Sequence, residues 1–209
     1  MARRVRAYVG LGSNTGDSAT TLAVAVAALG ALGGARLRAV SRLYVTRPVG
    51  VLDQPDYLNA VVALEVARGP HPDDGALALL RALKGIEADA GRTDGRRWGP
   101  RVLDLDLLVF GRARILVARP PELAPSRVLD AAEAAGVPPA PTLLQVPHRD
   151  AADRLFVLAP LADLAPGLVP PGWHETVATV RARREREEGA DAVRQAGDWD
   201  ARTRRWVDR

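Results

Sequence analysis

Arg97-Trp98-Gly99-Pro100-Arg101-Val102-Leu103-Asp104-Leu105-Asp106-Leu107-Leu108-Val109-Phe110 is the stretch from which the rest of the chain can be read. Its second half reads as a β-strand, in which residues two apart share a face. Leu103, Leu105 and Leu107 then point toward a core, and Asp104 and Asp106 point together the other way. Two adjacent carboxylates repel each other, and a fold tolerates them best with a cation between them. Mg²⁺ is such a cation: it takes one or two carboxylates and fills its shell with water and phosphate oxygens. Arg97 and Arg101 supply planar donor forks that suit phosphate. The plainer alternative is a strand with one wet face, and a bare Asp-x-Asp favours it because short motifs often match by chance. The Arg-Trp-Gly-Pro-Arg prefix reverses that balance.

Composition fits an enzyme without naming one. A chain of 209 residues can bury a real core in about one domain. It has no long apolar run for a membrane span and no charged-then-apolar leader, so a cytoplasmic protein without membrane contact is expected. The absence of cysteine excludes disulfides, thiolate metal sites and cysteine nucleophiles, and suits a reducing compartment. The 29 basic residues exceed the 25 acidic ones by only four, and the sole lysine is Lys84, so the pI near 10.2 records arginine rather than a polyanion-binding surface. A P-loop is excluded for want of its lysine. Gly10-Leu11-Gly12-Ser13-Asn14-Thr15-Gly16 is a poor dinucleotide fingerprint, since Thr15 stands at the third glycine and no Rossmann order follows. Locally it is a turn from a strand at Val5–Leu11 into a helix capped by Asp17 or Ser18.

The remaining pattern predicts a helix over Leu22–Leu32, a strand over Arg36–Tyr44 and a second over Tyr57–Val66. A helix follows over Pro72–Ala90, with Leu77, Leu80, Leu83 and Ile86 at helical spacing and Pro72 in its first turn. Leu103–Phe110 then turns at Gly111-Arg112 into Arg114–Val117 as a hairpin. This order predicts an α+β fold, a ferredoxin-like antiparallel sheet with helices packed on it. Residues 118–142 are rich in proline and alanine and read as an insertion, with a short helix at Ser126–Ala135. Residues 1–188 form the expected domain. Residues 189–209 form a C-terminal extension, helical or disordered. From Arg181 to Arg209 nine arginines face seven acids, so this end is not a polybasic arm.

Four ordered motifs carry a family resemblance: Gly10-Leu11-Gly12-Ser13-Asn14, Asp53-Gln54-Pro55-Asp56-Tyr57-Leu58-Asn59-Ala60, the Arg97–Phe110 stretch, and Val146-Pro147-His148 with Arg154 and Phe156. Over roughly residues 5 to 180 the chain resembles the 6-hydroxymethyl-7,8-dihydropterin pyrophosphokinases of folate synthesis. The resemblance implies diphosphate transfer from ATP to a pterin alcohol, with Asp104 and Asp106 holding two Mg²⁺ ions. It implies Arg92 and Arg101 as catalytic arginines. It implies Glu87, Trp98, Arg101, His148 and Arg154 on the ATP side, and Thr46, Tyr57, Asn59 and Phe156 around the pterin. Aromatic planes to stack on and an amide with both donor and acceptor suit a flat heterocycle. Read alone, Tyr57 is more often core, Asn59 a turn residue and His148 structural, and Lys84–Glu87 is an ordinary exposed ion pair. The loop before Pro100 is one residue shorter than the family's, which leaves Arg96 or no residue for a second loop arginine. The arginine often found before Val-Pro-His is missing near Leu143, shifting phosphate contacts toward Arg149 or the insertion.

The expected partners are ATP and the reduced pterin, with no nucleic acid, and a monomer is expected. Two other classes fit parts of the pattern. A different two-metal phosphotransferase would share the aspartates without the pterin walls. An RNA-binding ferredoxin-like module would need exposed strand aromatics, where this chain has two phenylalanines and an acidic strand face.

Overall fold

The computed structural model describes residues 3–48, 53–91, 100–119, 142–189 and 191–208. β1 (Arg4–Ser13) alternates as a half-buried strand, and Ala7, Val9 and Leu11 are at most 3% exposed. It pairs antiparallel with β4 (Tyr57–Ala67) from Arg4 opposite Ala67 to Ser13 opposite Leu58. Its other edge pairs antiparallel with β5 (Asp104–Phe110), with Gly12 opposite Asp104 and Gly10 opposite Asp106. β2 (Arg36–Val40) and β3 (Leu43–Thr46) both pair with β4, and β8 (Val193–Asp200) and β9 (Arg205–Val207) extend the sheet beyond β3. Among the described residues this makes seven strands, ordered β5-β1-β4-β3-β8-β9 with β2 also on β4.

Helices cover both faces. α1 (Ser18–Ala31) starts where the Asp17 carboxylate accepts the Thr20 N–H at 3.1 Å, after a turn in which Gly16 takes φ +69°. It packs Leu22, Val26 and Leu29 against Val9, Leu11 and Leu64. α2 (Pro72–Asp89) adds Ala76, Leu79 and Leu83 to the same core, and Leu103, Leu105 and Leu107 reach it from β5. Gly75 permits this approach, since a Cβ there would lie 2.3 Å from the Arg68 carbonyl oxygen. Each such leucine contributes about 1.5–3 kcal/mol by leaving water. α3 (Leu155–Leu164) and α4 (Val177–Glu188) cover the other face, where Leu158, Leu161, Val177 and Val180 meet Val61, Leu108 and Val109. Alternation lets β5 feed both cores. The register shift between Tyr8 and Val9 leaves Leu108 without a partner on β1, so that Leu108 and Val109 both join the second core while Leu107 and Phe110 join the first.

Three expectations are corrected. The strand expected over Arg36–Tyr44 is two strands, because the Ser41 hydroxyl accepts the Val61 N–H (2.9 Å) while Ser41 N–H donates to the Val61 carbonyl (2.9 Å). The expected β5–β6 hairpin does not form. β6 (Ile115–Ala118) instead pairs with β7 (Thr142–Val146), because after Gly111 donates to the Arg6 carbonyl at 2.7 Å the chain leaves the sheet. The extension expected to be helical or disordered supplies β8 and β9. Trp199 and Trp206 pack edge-to-face with centroids 4.6 Å apart, and the Trp206 indole N–H donates to the Ser41 carbonyl at 2.9 Å. The helix expected at Ser126–Ala135 lies outside the described residues, and the chain leaves at Ala118 and returns at its pairing partner Thr142.

Candidate active site

β5 delivers both aspartates to one face, and β1 keeps that face clear by placing Gly10 and Gly12 opposite them. A Cβ on Gly12 would sit 3.5 Å from Asn59 Oδ1 and 4.0 Å from Asp104 Cβ, inside the space they share. A cleft of about 710 Å³ opens there, with Asp104, Asp106, Arg101, Thr46, Tyr57, Asn59, Arg154 and Phe156 in its lining. Eight of the residues singled out in the sequence, from four separate segments, therefore converge on one cavity.

The acidic wall is held from behind. β5 is an edge strand, and its Leu105 N–H, between the two aspartates, donates to the Glu87 carboxylate at 2.7 Å. Glu87 is 1% exposed and also accepts from Lys84 Nζ at 2.9 Å on both oxygens. Glu87 was expected on the ATP side; the structure buries it as a brace between α2 and β5, outside the cleft lining. Arg101 Nη1 lies 2.7 Å from Asp104 Oδ2. Burial pulls the Arg101 pKa down, but Asp104 beside it, with Asp106 and Tyr57 behind, raises it further, so the guanidinium is firmly charged. Burial also raises the Tyr57 pKa, against the opposing pull of Arg101.

Asn14 ties three of the sequence motifs together, a role the sequence reading missed. Its amide nitrogen donates to Gln54 Oε1 and the Pro55 carbonyl, both at 3.1 Å. Its Oδ1 accepts the Arg101 N–H at 2.8 Å, and its own N–H donates to the Arg101 carbonyl at 3.1 Å. Its place at the end of the Gly10–Asn14 motif was the signal the sequence offered.

The opposite wall is planar and less charged. Asn59 Nδ2 donates to Thr46 Oγ1 at 2.9 Å, so β3 and β4 present one hydrogen-bonded pair to the cavity. The Arg154 guanidinium lies 5.8 Å from the Phe156 ring centroid and donates to Asp150 Oδ2 at 2.7 Å. Desolvation raises the Asp150 pKa, but Arg149, Arg154 and His148 outweigh it and hold the carboxyl below its ordinary value. His148 sits one layer back: its N–H donates to the Leu108 carbonyl at 2.9 Å, its Nδ1 accepts the Asp150 N–H at 3.3 Å, and it is outside the cleft lining. Arg92, Arg96 and Trp98 lie outside the described residues. The cleft is also lined by Arg47, Arg149, Asp150, Asp153 and Glu188, of which only Arg149 had drawn attention in the sequence.

Residues 8–166 match the family model described as 7,8-dihydro-6-hydroxymethylpterin-pyrophosphokinase (HPPK). The chain belongs to this family. Among HPPK relatives, it is 41% identical over 178 residues to the 2-amino-4-hydroxy-6-hydroxymethyldihydropteridine pyrophosphokinase of Methylorubrum extorquens, covering 85% of this chain and 92% of that one. It is 40% identical over 170 residues to the Pseudomonas aeruginosa protein of the same name, covering 81% and 86%. Its fold is that of the Plasmodium falciparum HPPK-DHPS wild type crystal structure, with a TM-score of 0.68 at 14% identity. That alignment covers all of this chain, which spans 50% of the longer protein. The HPPK match ends before α4, β8 and β9 begin.

Proposed function

We propose that this HPPK-family chain transfers diphosphate from ATP to the hydroxymethyl group of 6-hydroxymethyl-7,8-dihydropterin, releasing AMP in folate synthesis. One observation carries the reading: a paired-aspartate wall with Arg101 faces a wall of Thr46, Asn59 and aromatic planes across one cavity. The first suits a triphosphate and the second a flat heterocycle rich in hydrogen-bonding groups.

The donor set fits Mg²⁺. Asp104 and Asp106 offer carboxylate oxygens on one face, and among the described residues no cluster of three acidic or histidine side chains forms a self-contained metal site. Two carboxylates completed by water and phosphate oxygens are what Mg²⁺ takes beside a nucleotide, and two ions shared with the triphosphate fit the pair. When bound, such ions offset phosphate charge and ease loss of the hydroxymethyl proton.

The chain's own residues do the rest by position and charge. Tyr57 and Phe156 hold the pterin ring, Asn59 and Thr46 fix its edge, and the hydroxymethyl oxygen is thereby aimed at the β-phosphorus. That oxygen gives up its proton to solvent water and forms the new P–O bond, the bond from β-phosphorus to the α,β-bridging oxygen breaks, and AMP leaves with the bonding pair. Arg101, joined by Arg92, meets the charge on the departing AMP. Arg154 holds the outer phosphates and Trp98 the nucleotide, while His148 and Glu87 act at one remove, His148 through the Asp150 N–H and Glu87 by steadying β5.

The strand order supports a ferredoxin-like core, with the stretch over about residues 118–142 as an insertion. The C-terminal extension belongs to the same unit, acting as a monomer in the cytoplasm on small substrates alone. Among the described residues no helix is long and apolar enough to cross a membrane. The test is incubation with ATP, Mg²⁺ and the reduced pterin alcohol, separating nucleotide products. Pterin-dependent AMP supports the reaction; ADP would replace it with an ordinary kinase.

A further inference from the structure

The family match stops at residue 166, yet a side chain from beyond it lines the cleft. α4 ends at Glu188, and two ties fix where that helix end lies. One turn earlier, Arg184 pairs with Asp153 and donates from Nε to the Ala152 carbonyl at 3.2 Å. This holds α4 against the 3-10 turn Ala151–Asp153, which leads directly to Arg154 and Phe156. Just beyond the helix, Val193 opens β8 opposite Thr46. The chain thus passes Glu188 along the cleft from the Phe156 side to the Thr46 side, the end assigned above to the heterocycle.

That end is short of acceptors. Asn59 Nδ2 is engaged by Thr46 Oγ1, which leaves Asn59 Oδ1 as the acceptor of that amide. A pterin's amino-pyrimidinone edge presents adjacent N–H donors, more than one amide oxygen can take. A carboxylate has two acceptor oxygens, no donor, and a charge that shortens and strengthens such bonds. Among the described residues nothing is hydrogen-bonded or ion-paired to the Glu188 carboxylate. Partial desolvation raises its pKa more than nearby Arg184 lowers it, although the residue as a whole is exposed.

We propose that Glu188, supplied by a segment outside the family match, is a specificity-determining residue whose carboxylate accepts hydrogen bonds from the N–H donor edge of the pterin. The inference rests on the pterin reading of this same cleft. It separates two roles for the C-terminal segment: β8 lengthens the sheet, while the end of α4 reads the substrate.

Steady-state kinetics with each substrate varied in turn tests it. Glu188→Ala is expected to raise the pterin KM about tenfold while kcat and the ATP KM stay within about twofold, the loss of one charge-assisted hydrogen bond. Glu188→Gln keeps one carbonyl acceptor and is expected to fall between Ala and the native residue. Glu187→Gln removes the same charge from the same turn without touching the cleft, and should leave the pterin KM unchanged. An unaltered pterin KM in Glu188→Ala, an equal rise in Glu187→Gln, or matching rises in both KM values would overturn the proposal. If the unsubstituted chain makes no pterin-dependent AMP, the reaction itself has been misread and Glu188 falls with it. If it does and Glu188→Ala is indistinguishable from it, Glu188 alone has been misread.

Discussion

The two walls of the cleft are built on different terms. The acidic wall comes from one edge strand, with Asp104, Asp106 and Arg101 within a few residues of one another and braced from behind by Glu87 and Asn14. The planar wall is assembled from β3, β4 and the start of α3, with Thr46, Asn59 and Phe156 far apart in the chain. Charge must be held against its own repulsion, so the first wall needs stiff local support. A flat ring needs shape and a few directed hydrogen bonds, which separate elements can supply. The difference teaches where each substitution should register: turnover for the acidic wall, pterin affinity for the planar one.

The largest effect should come from Asp106→Ala. It is expected to lower kcat about 10³-fold with an unchanged melting temperature, because the lost charge acts on the reacting phosphates. A folded variant with near-native turnover would break the assignment of this wall. Asn59→Ala should instead raise the pterin KM, costing about 2 kcal/mol of binding, or some thirtyfold, with kcat largely kept. An equal fall in kcat for both substitutions would erase the division between the walls. Glu87→Ala sharpens it from behind by leaving the buried Leu105 N–H without its acceptor. Chemical denaturation should register a loss of about 1–3 kcal/mol, and any fall in turnover should accompany it rather than exceed it. The smallest effect is expected from Asp17→Ala, at a residue that does not line the cleft. It removes the α1 cap, so a small fall in melting temperature is expected with kinetics unchanged.

The acidic wall was the more legible one in the sequence, and for a physical reason. Period-two alternation of leucine and aspartate states both the strand and its two faces, without any distant partner. The planar wall became legible through the Asp53–Ala60 motif, since Tyr57 and Asn59 taken singly read as core and turn. What stayed hidden depended on contacts across the chain. Glu87 reads as half of an exposed i, i+3 pair with Lys84, and only the Leu105 N–H arriving from β5 makes it a buried brace. The break between β2 and β3 turns on a single serine hydroxyl standing in for a backbone group. Val193–Asp200 is polar and short of β-branched residues, so its strand character comes from the unpaired edge of β3, which no local pattern announces. Glu188 closes a highly charged helix in which nothing sets it apart from Glu185 or Glu187. Arg92 and Trp98 lie outside the described residues.

The most direct measurement follows the phosphates themselves. With ATP carrying oxygen-18 at the non-bridging positions of both its β- and γ-phosphoryl groups, the pterin product is separated and its phosphorus NMR spectrum recorded. Two coupled, labelled phosphorus resonances on the pterin, with unlabelled AMP left behind, are the expected result. A single labelled phosphate on the pterin, with the β label retained in ADP, would contradict attack at the β-phosphorus and the placing of the two walls that aims it.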